Sequence, residues 1–428
     1  MRHTRTILVA AGALLAALVP PAAGGATALA APPAASAQAP GTVVQRGGTL
    51  SVPSGEEGPA TSYFGAALPA GTTGTVKARL FLDDIFWPPE GSDEHVPSEL
   101  YYTRWSCSVN GGAFVDCPYG RQGLVLPETA AAPFVTYAVR VDAGSYAAND
   151  RSFHGSFDVT DATGGRIATG PAGFAFVPGT PEAEFRTVLH ARDRDGVLWQ
   201  YEGTGRPSAP FKPRQRVGGG WGGYTALTRL GPATADGKGD LVARDRDGVL
   251  WYYRAAGDLS APFWPRVRIG GGWNAYTSLT GTSTGLLARD RDGVLWHYPR
   301  ATGAPFSAPF APRARVGGGW NAYTALTSVT AVGPTLLARD TAGVLWAYRP
   351  SYSSDPAVPL RPRVRVGGGW NAYTALAGTG DLGFHTDRDL LARDRDGKLW
   401  AYEDAYNGIP RATRTAAGWG WNIYDTLL

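Results

Sequence analysis

In the second half of the chain, apolar and polar positions alternate with period two in short runs, and the runs recur in a fixed order. In V-L-W-H-Y, for example, Val294, Trp296 and Tyr298 share one face while Leu295 and His297 share the other, which is the pattern of a strand. The same reading makes Tyr276 to Leu279 a first strand and Leu286 to Asp290 a second. A turn at Arg-Asp-Gly leads into the third, Val294 to Tyr298, and after a Pro-rich connection Arg313 to Gly317 forms an outer strand with alternating arginines. No long stretch beyond the first residues shows helical periodicity, so the expected class is all-β.

This four-strand unit repeats. R-V-G-G-G-W-N-A-Y-T-A-L returns around Trp221, Trp273, Trp320 and Trp370, and in degenerate form around Trp421. Between its copies runs L-L-A-R-D-R-D-G-V-L-W-x-Y, with tryptophans Trp199, Trp251, Trp296, Trp346 and Trp400. The steps range from 45 residues (Trp251 to Trp296) to 54 (Trp346 to Trp400), the length of one propeller blade. A lone four-stranded sheet leaves faces and an edge bare, so such units are stable when packed around an axis. Five copies predict a five-bladed β-propeller over residues 182–428. The first copy lacks its own Y-T-A-L strand, and Asn422 to Leu428 supplies one with no blade after it. The C-terminal strand is therefore expected to complete the first blade and close the ring.

From Thr42 to Val177 the repeat is absent and strands alternate with Gly and Pro turns, as in T-V-K-A-R-L-F-L, E-L-Y-Y-T-R-W and F-V-T-Y-A-V-R-V. Val177 to Pro181, V-P-G-T-P, reads as a short stiff linker. Cys107 and Cys117 flank Asn110-Gly111-Gly112, and a hairpin turning at residue 112 brings their sulfurs face to face. In an exported protein this favours a disulfide over a metal pair or a reactive thiol. The run C-S-V-N-G-G-A-F-V-D-C-P followed by F-V-T-Y-A-V-R-V-D-A-G resembles a bacterial extracellular immunoglobulin-like module between about Arg79 and Gly144. The resemblance implies a β-sandwich over residues 42–177 that serves as a spacer or docks a protein partner, without activity of its own.

Residues 1–37 have the layout of a secretory signal: Arg2 and Arg5, apolar Ile7 to Val19, then small-residue sites at Ala28-Leu29-Ala30 and Ala35-Ser36-Ala37. The apolar run is shorter than the ~20 residues needed to cross a bilayer, so export with cleavage is expected rather than anchoring, and no later run is long enough to span. The formal net charge is +4, and removal of Arg2 and Arg5 leaves +2. That small surplus is not the footprint of a nucleic-acid binder, and most arginines are expected on a solvated outer strand or in local Arg–Asp pairs.

Little in the sequence points to catalysis. His3, His95, His154, His190, His297 and His385 show no zinc spacing, and no G-x-S-x-G elbow is present. The recurrent D-R-D-G suits a hairpin turn first, and a ligand contact or a catalytic acid only after that. An Asp-rich turn between strands also resembles the calcium loops of FG-GAP and VCBS propellers. Only Asp236-Gly237-Lys238-Gly239-Asp240 and Asp381 to Asp389 keep fragments of such a loop, too few oxygens for a cation that takes six to eight. No metal or other cofactor is expected.

Binding is most plausible at G-G-G-W-N-x-Y. Successive glycines let a ligand approach the backbone, the indole offers a flat apolar face, and the asparagine offers donors and an acceptor. A sugar presents the complementary surface, although the same residues also suit a turn between blades with the indole wedged between sheets. For the Leu-Trp tryptophans packing is the expected role. The alternation of V-G-G-G-W-N-A-Y with D-G-V-L-W-A-Y across residues 185–428 is similar to that of tachylectin-type five-bladed propeller lectins. The resemblance implies pockets between neighbouring blades that hold N-acetylated amino sugars, with contacts from Trp273 and Asn274, Trp320 and Asn321, and Trp370 and Asn371. Trp221, Trp421 and Asn422 are the counterparts where the motif departs, since Gly222 replaces asparagine and Trp419 displaces the middle glycine. The expectation is a secreted, non-enzymatic, multivalent lectin for cell-wall or surface glycans. Its competitors are a protein-binding propeller of an extracellular assembly, a calcium-dependent FG-GAP-like propeller and a polysaccharide-acting enzyme.

Overall fold

Five four-stranded antiparallel sheets occupy the repeat region of the computed structural model. The residues described are 39–85, 103–144, 151–206, 209–329, 335–382, 389–403 and 409–428. The expected leader at 1–37 lies outside them, as do His95, His385 and most of the Asp381 to Asp389 segment.

The third blade shows how sequence becomes sheet. Its strands, from the axis outward, are Tyr276–Thr282, Gly285–Asp290, Leu295–Pro299 and Ala314–Gly317. The turn between the second and third strands is fixed by its first aspartate. One oxygen of Asp290 accepts the amides of Asp292 and Val294, the other accepts the Nε1–H of Trp296 at 2.8 Å, and Gly293 takes φ 75°. The same indole bond runs from Trp199, Trp251, Trp346 and Trp400 to Asp193, Asp245, Asp340 and Asp394. The leading aspartate of D-R-D-G is thus a turn residue with its oxygens occupied.

One arginine expectation is corrected. The arginine of A-R-D does not pair with its neighbouring aspartate on a solvated face but reaches across the blade boundary. Nη1 of Arg289 donates to the carbonyls of Trp320 and Tyr323 at 3.1 and 2.6 Å, and Arg192, Arg244, Arg339 and Arg393 make the matching pair of bonds. One guanidinium nitrogen thus donates to two main-chain carbonyls of the neighbouring turn and ties adjacent blades together.

The ring closes as the repeat arithmetic predicts. Tyr424–Leu427 is the inner strand of the first blade, pairing Leu427 with Ala191, Thr426 with Arg192 and Tyr424 with Asp193. Arg192 also bonds Asp425 and Thr426, which ties the two ends of the propeller together.

The strands between Gly41 and Val177 form one hydrogen-bonded eleven-stranded sheet around a single core that includes Phe64, Tyr137, Phe157 and Phe174. Thr75–Leu82 alternates buried and outward positions, as its sequence pattern requires. Cys107 and Cys117 are joined. Their hairpin turns one residue earlier than the sequence midpoint, at Asn110 and Gly111, which both adopt positive φ, so Cys107 pairs with Val115 and the bridge runs diagonally. The V-P-G-T-P segment is fastened to this sheet, with Glu57 accepting the Thr180 amide and Ser54 the Gly179 amide. Buried Arg186 then donates to Glu56 on one side and Glu202 of the first blade on the other, each at 2.8 Å.

Candidate functional site: the clefts between blades

Each G-G-G-W-N turn crosses from the outer strand of one blade to the inner strand of the next, over the hairpin of the blade it leaves. The amide of Trp273 donates to the carbonyl of Gly248, and Asn274 Nδ2 donates to that of Arg246. Of the three glycines, the third requires its residue type: Gly220, Gly272, Gly319, Gly369 and Gly420 all have φ between 82° and 88°.

The turn drives its tryptophan between blades. Trp273 lies against Tyr298 of the next blade with ring centroids 4.8 Å apart, against Tyr276 at 5.6 Å, and in the same apolar cluster as Phe310. Trp221, Trp320, Trp370 and Trp421 meet Tyr253, Tyr348, Tyr402 and Tyr201 at 4.6 to 4.8 Å, so the arrangement repeats around the ring. All five indoles are only 5 to 7% exposed. Their faces are occupied by packing, and what each keeps for the outside is its rim. That rim is chemically unspent: among the described residues no protein group accepts the Nε1–H of these five tryptophans, in contrast to the five indoles bonded to aspartate.

A polar chain stands beside each indole. Arg313 lies 4.1 Å from the ring of Trp296 and donates to Tyr276 Oη, which is 2.5 Å from Tyr298 Oη. Arg214, Arg266, Arg363 and Arg414 make the same connection to Tyr424, Tyr224, Tyr323 and Tyr373. The tyrosine bond holds Arg313 more firmly protonated than a free guanidinium, while burial, and then the bond to Tyr276, pushes the Tyr298 hydroxyl above its ordinary value. Two hydroxyls that share one bond, with an arginine donating to one of them, leave one O–H proton unspent. The motif reading placed Arg313 on the outer strand as one of its alternating arginines and treated the A-P-F-x-P segment before it as a connection, so the link from this arginine to the tyrosine pair was invisible to it. The recurrence of that segment with its arginine (Phe211 to Arg214, Phe263 to Arg266, Phe310 to Arg313) was the signal that could have found the link.

Two of the clefts open into hollows. Between the fifth and first blades a space of about 700 Å³ is bounded by Trp421, Tyr201, Tyr424, Phe211, Arg214 and Trp419. Between the first and second a space of about 630 Å³ is bounded by Trp221, Tyr224, Tyr253, Phe263, Trp264 and Arg266. Both volumes fall in the range of small-ligand sites, ~300–1,000 Å³. Asn422 is not part of the first wall. It clamps the hairpin through Arg395, as Asn274, Asn321 and Asn371 clamp theirs through Arg246, Arg291 and Thr341. The structure thus brings the predicted tryptophans together with tyrosines and arginine, and leaves the predicted asparagines on the exposed turn.

No family model matches the chain, and no curated protein matches it. Solved structures do. They include human WBSCR16 (9% identity, 56% of this chain and 66% of that one, TM-score 0.28), the Saccharomyces cerevisiae protein Prp20p (10%, 56% and 63%, 0.29) and the WD40 domain of SCAP from fission yeast (8%, 44% and 43%, 0.26). The chain spans about two thirds or less of the length of each. At these identities and scores the likenesses assign no function.

Two of the carboxylates considered for calcium, Asp236 and Asp240, are engaged by the protein itself. Asp236 pairs with Lys238 and Thr234, and Asp240 accepts from Tyr252, Arg300 and the Ala255 amide. No group of three or more metal-capable side chains occurs among the described residues.

Proposed function

We propose that this protein is a non-enzymatic, multivalent carbohydrate-binding protein that works outside the cell, a tachylectin-like propeller whose ligands are N-acetylated amino sugars or related surface glycans. The observation that carries the reading is the hollow beside the packed indole. There an unspent indole N–H, an unspent tyrosine hydroxyl and an arginine border an aromatic wall; the hollow occurs at two junctions, and the cluster of groups that borders it recurs at all five. A pyranose needs this combination, an apolar surface for its C–H face and donors for its oxygens. Repetition on one disc makes physical sense for a polymer, because simultaneous engagement raises weak single-site affinity by ~10²–10⁴. The N-terminal region, taken as an immunoglobulin-like sandwich behind a cleaved leader, serves as spacer or docks a protein partner.

The test is a glycan array probed with the full chain, together with retention on chitin or N-acetylglucosamine resin and release by free sugar. Binding to amino-sugar glycans with competitive release supports the reading. A blank array and free passage through the resin reject it in favour of a protein-binding propeller.

A further inference from the structure

Stacking a sugar requires an indole with an open face, and the five motif tryptophans are sealed. Among the described residues only two tryptophans are exposed, Trp419 at 70% and Trp264 at 53%. Each borders one of the two hollows, Trp419 from the glycine wall and Trp264 from the wall that carries Phe263.

Trp419 sits within a set of departures from the repeat that fit one another. In the first four blades an arginine (Arg216, Arg268, Arg315, Arg365) places its guanidinium where a side chain on the middle glycine would grow, 3.3 to 3.9 Å from that position. The fifth blade has Ala416 in place of this arginine and Trp419 in place of the glycine, so the space is vacated where the indole stands. The middle position tolerates a side chain because positive φ is demanded of the third glycine. Lys398 replaces the valine of D-G-V-L-W, and its ammonium lies 4.3 Å from the Trp419 ring and 3.8 Å from that of Trp400. One face of Trp419 is thereby supported from within the blade and the ring is held at the mouth of the hollow. At the matching wall positions the three regular junctions carry no aromatic residue: Ala311 with Gly271, Arg361 with Gly318, and Pro410 with Gly368.

We infer that the two clefts flanking the first blade are the principal saccharide sites, with Trp419 and Trp264 as their stacking platforms, and that each takes at least two linked pyranose units. This rests on the carbohydrate reading above. One unit lies in the hollow against the rim of Trp421 or Trp221, and the next stacks on the exposed indole. Lys398 is a positioning residue for the first platform. The three regular clefts offer the inner part alone and bind more weakly.

The experiment is a calorimetric titration of the full chain with chitotriose, beside a Trp264→Ala, Trp419→Ala double variant. The account expects a stoichiometry near two per chain and affinity in the variant reduced ~10-fold or more, the scale of losing an exposed aromatic anchor. Trp264→Phe with Trp419→Phe should restore part of it, and Lys398→Val should weaken binding without abolishing it. Both alanine substitutions are at exposed positions, and thermal melts matching the wild type will show the fold intact. Wild-type affinity in the double variant, or a stoichiometry near five in both proteins, overturns the assignment of platforms while leaving carbohydrate binding in place. A wild-type chain that binds no glycan on the array overturns both.

Discussion

A tryptophan has two ways to spend its surface here, and its neighbours decide which. Trp296 donates its N–H to Asp290 and lies under Arg313, while Trp273 gives its faces to Tyr298 and Tyr276 and keeps its N–H free. Truncating Trp273, Trp320 or Trp370 to alanine therefore removes a buried wedge, and each is predicted to cost ~3–5 kcal/mol in a denaturant melt, so their loss reports on stability before binding. Asn274→Ala removes one exposed bond and should cost ~1 kcal/mol, measured in the same way. The sequence showed that these tryptophans recur; it did not show that their faces are covered, because the covering tyrosine sits two residues after the other tryptophan, in the neighbouring blade. Trp419 was read as a defect of the motif for the same reason: a single sequence shows a missing glycine, whereas the vacated arginine site and the supporting lysine are relations in space.

Within each blade, strand order, turn position and outer-strand placement were legible because period-two alternation and D-R-D-G specify them locally. The inter-blade pair of bonds from Arg289 and its counterparts was not, since their acceptors are main-chain carbonyls with no sequence signature. The turn aspartates give the elements a pH signature. Trp296 Nε1–H, then the Val294 amide, hold Asp290 below the ordinary carboxylate range, and the counterparts Asp193, Asp245, Asp340 and Asp394 are lowered too. A carboxyl with a depressed folded value favours folding above its unfolded value and loses that contribution as pH falls through the folded one. Stability should thus be level above about pH 5 and decline from about pH 4 downward. Asp290→Asn should flatten part of that decline in a series of melts at stepped pH. A decline that sets in near neutrality would contradict this origin.

For the molecule as a whole, closure depends on a strand that belongs to the first blade in space and to the last in sequence. Five repeats with one strand missing at the start and one surplus at the end make this readable in the sequence alone. Removing Tyr424 to Leu428 bares the edge at Val188–Asp193 and frees Arg192 from Asp425 and Thr426, so the truncated chain should melt at lower temperature and self-associate in sedimentation. The N-terminal sheet was less legible. Its strands follow the alternation, but the order in which eleven of them pair is set by long-range contacts that turn residues do not encode.

The most direct test of the central claim, that the blade junctions receive a saccharide, reads the indole N–H groups themselves. In a nitrogen-15 tryptophan-labelled sample titrated with chitotriose, Nε1–H resonances of the G-G-G-W set, led by Trp421 and Trp221, should shift in a saturable way. Those of Trp199, Trp251, Trp296, Trp346 and Trp400, already bonded to aspartate, should stay in place. If the G-G-G-W resonances hold their positions at saturating saccharide, the clefts do not bind it and the account is wrong.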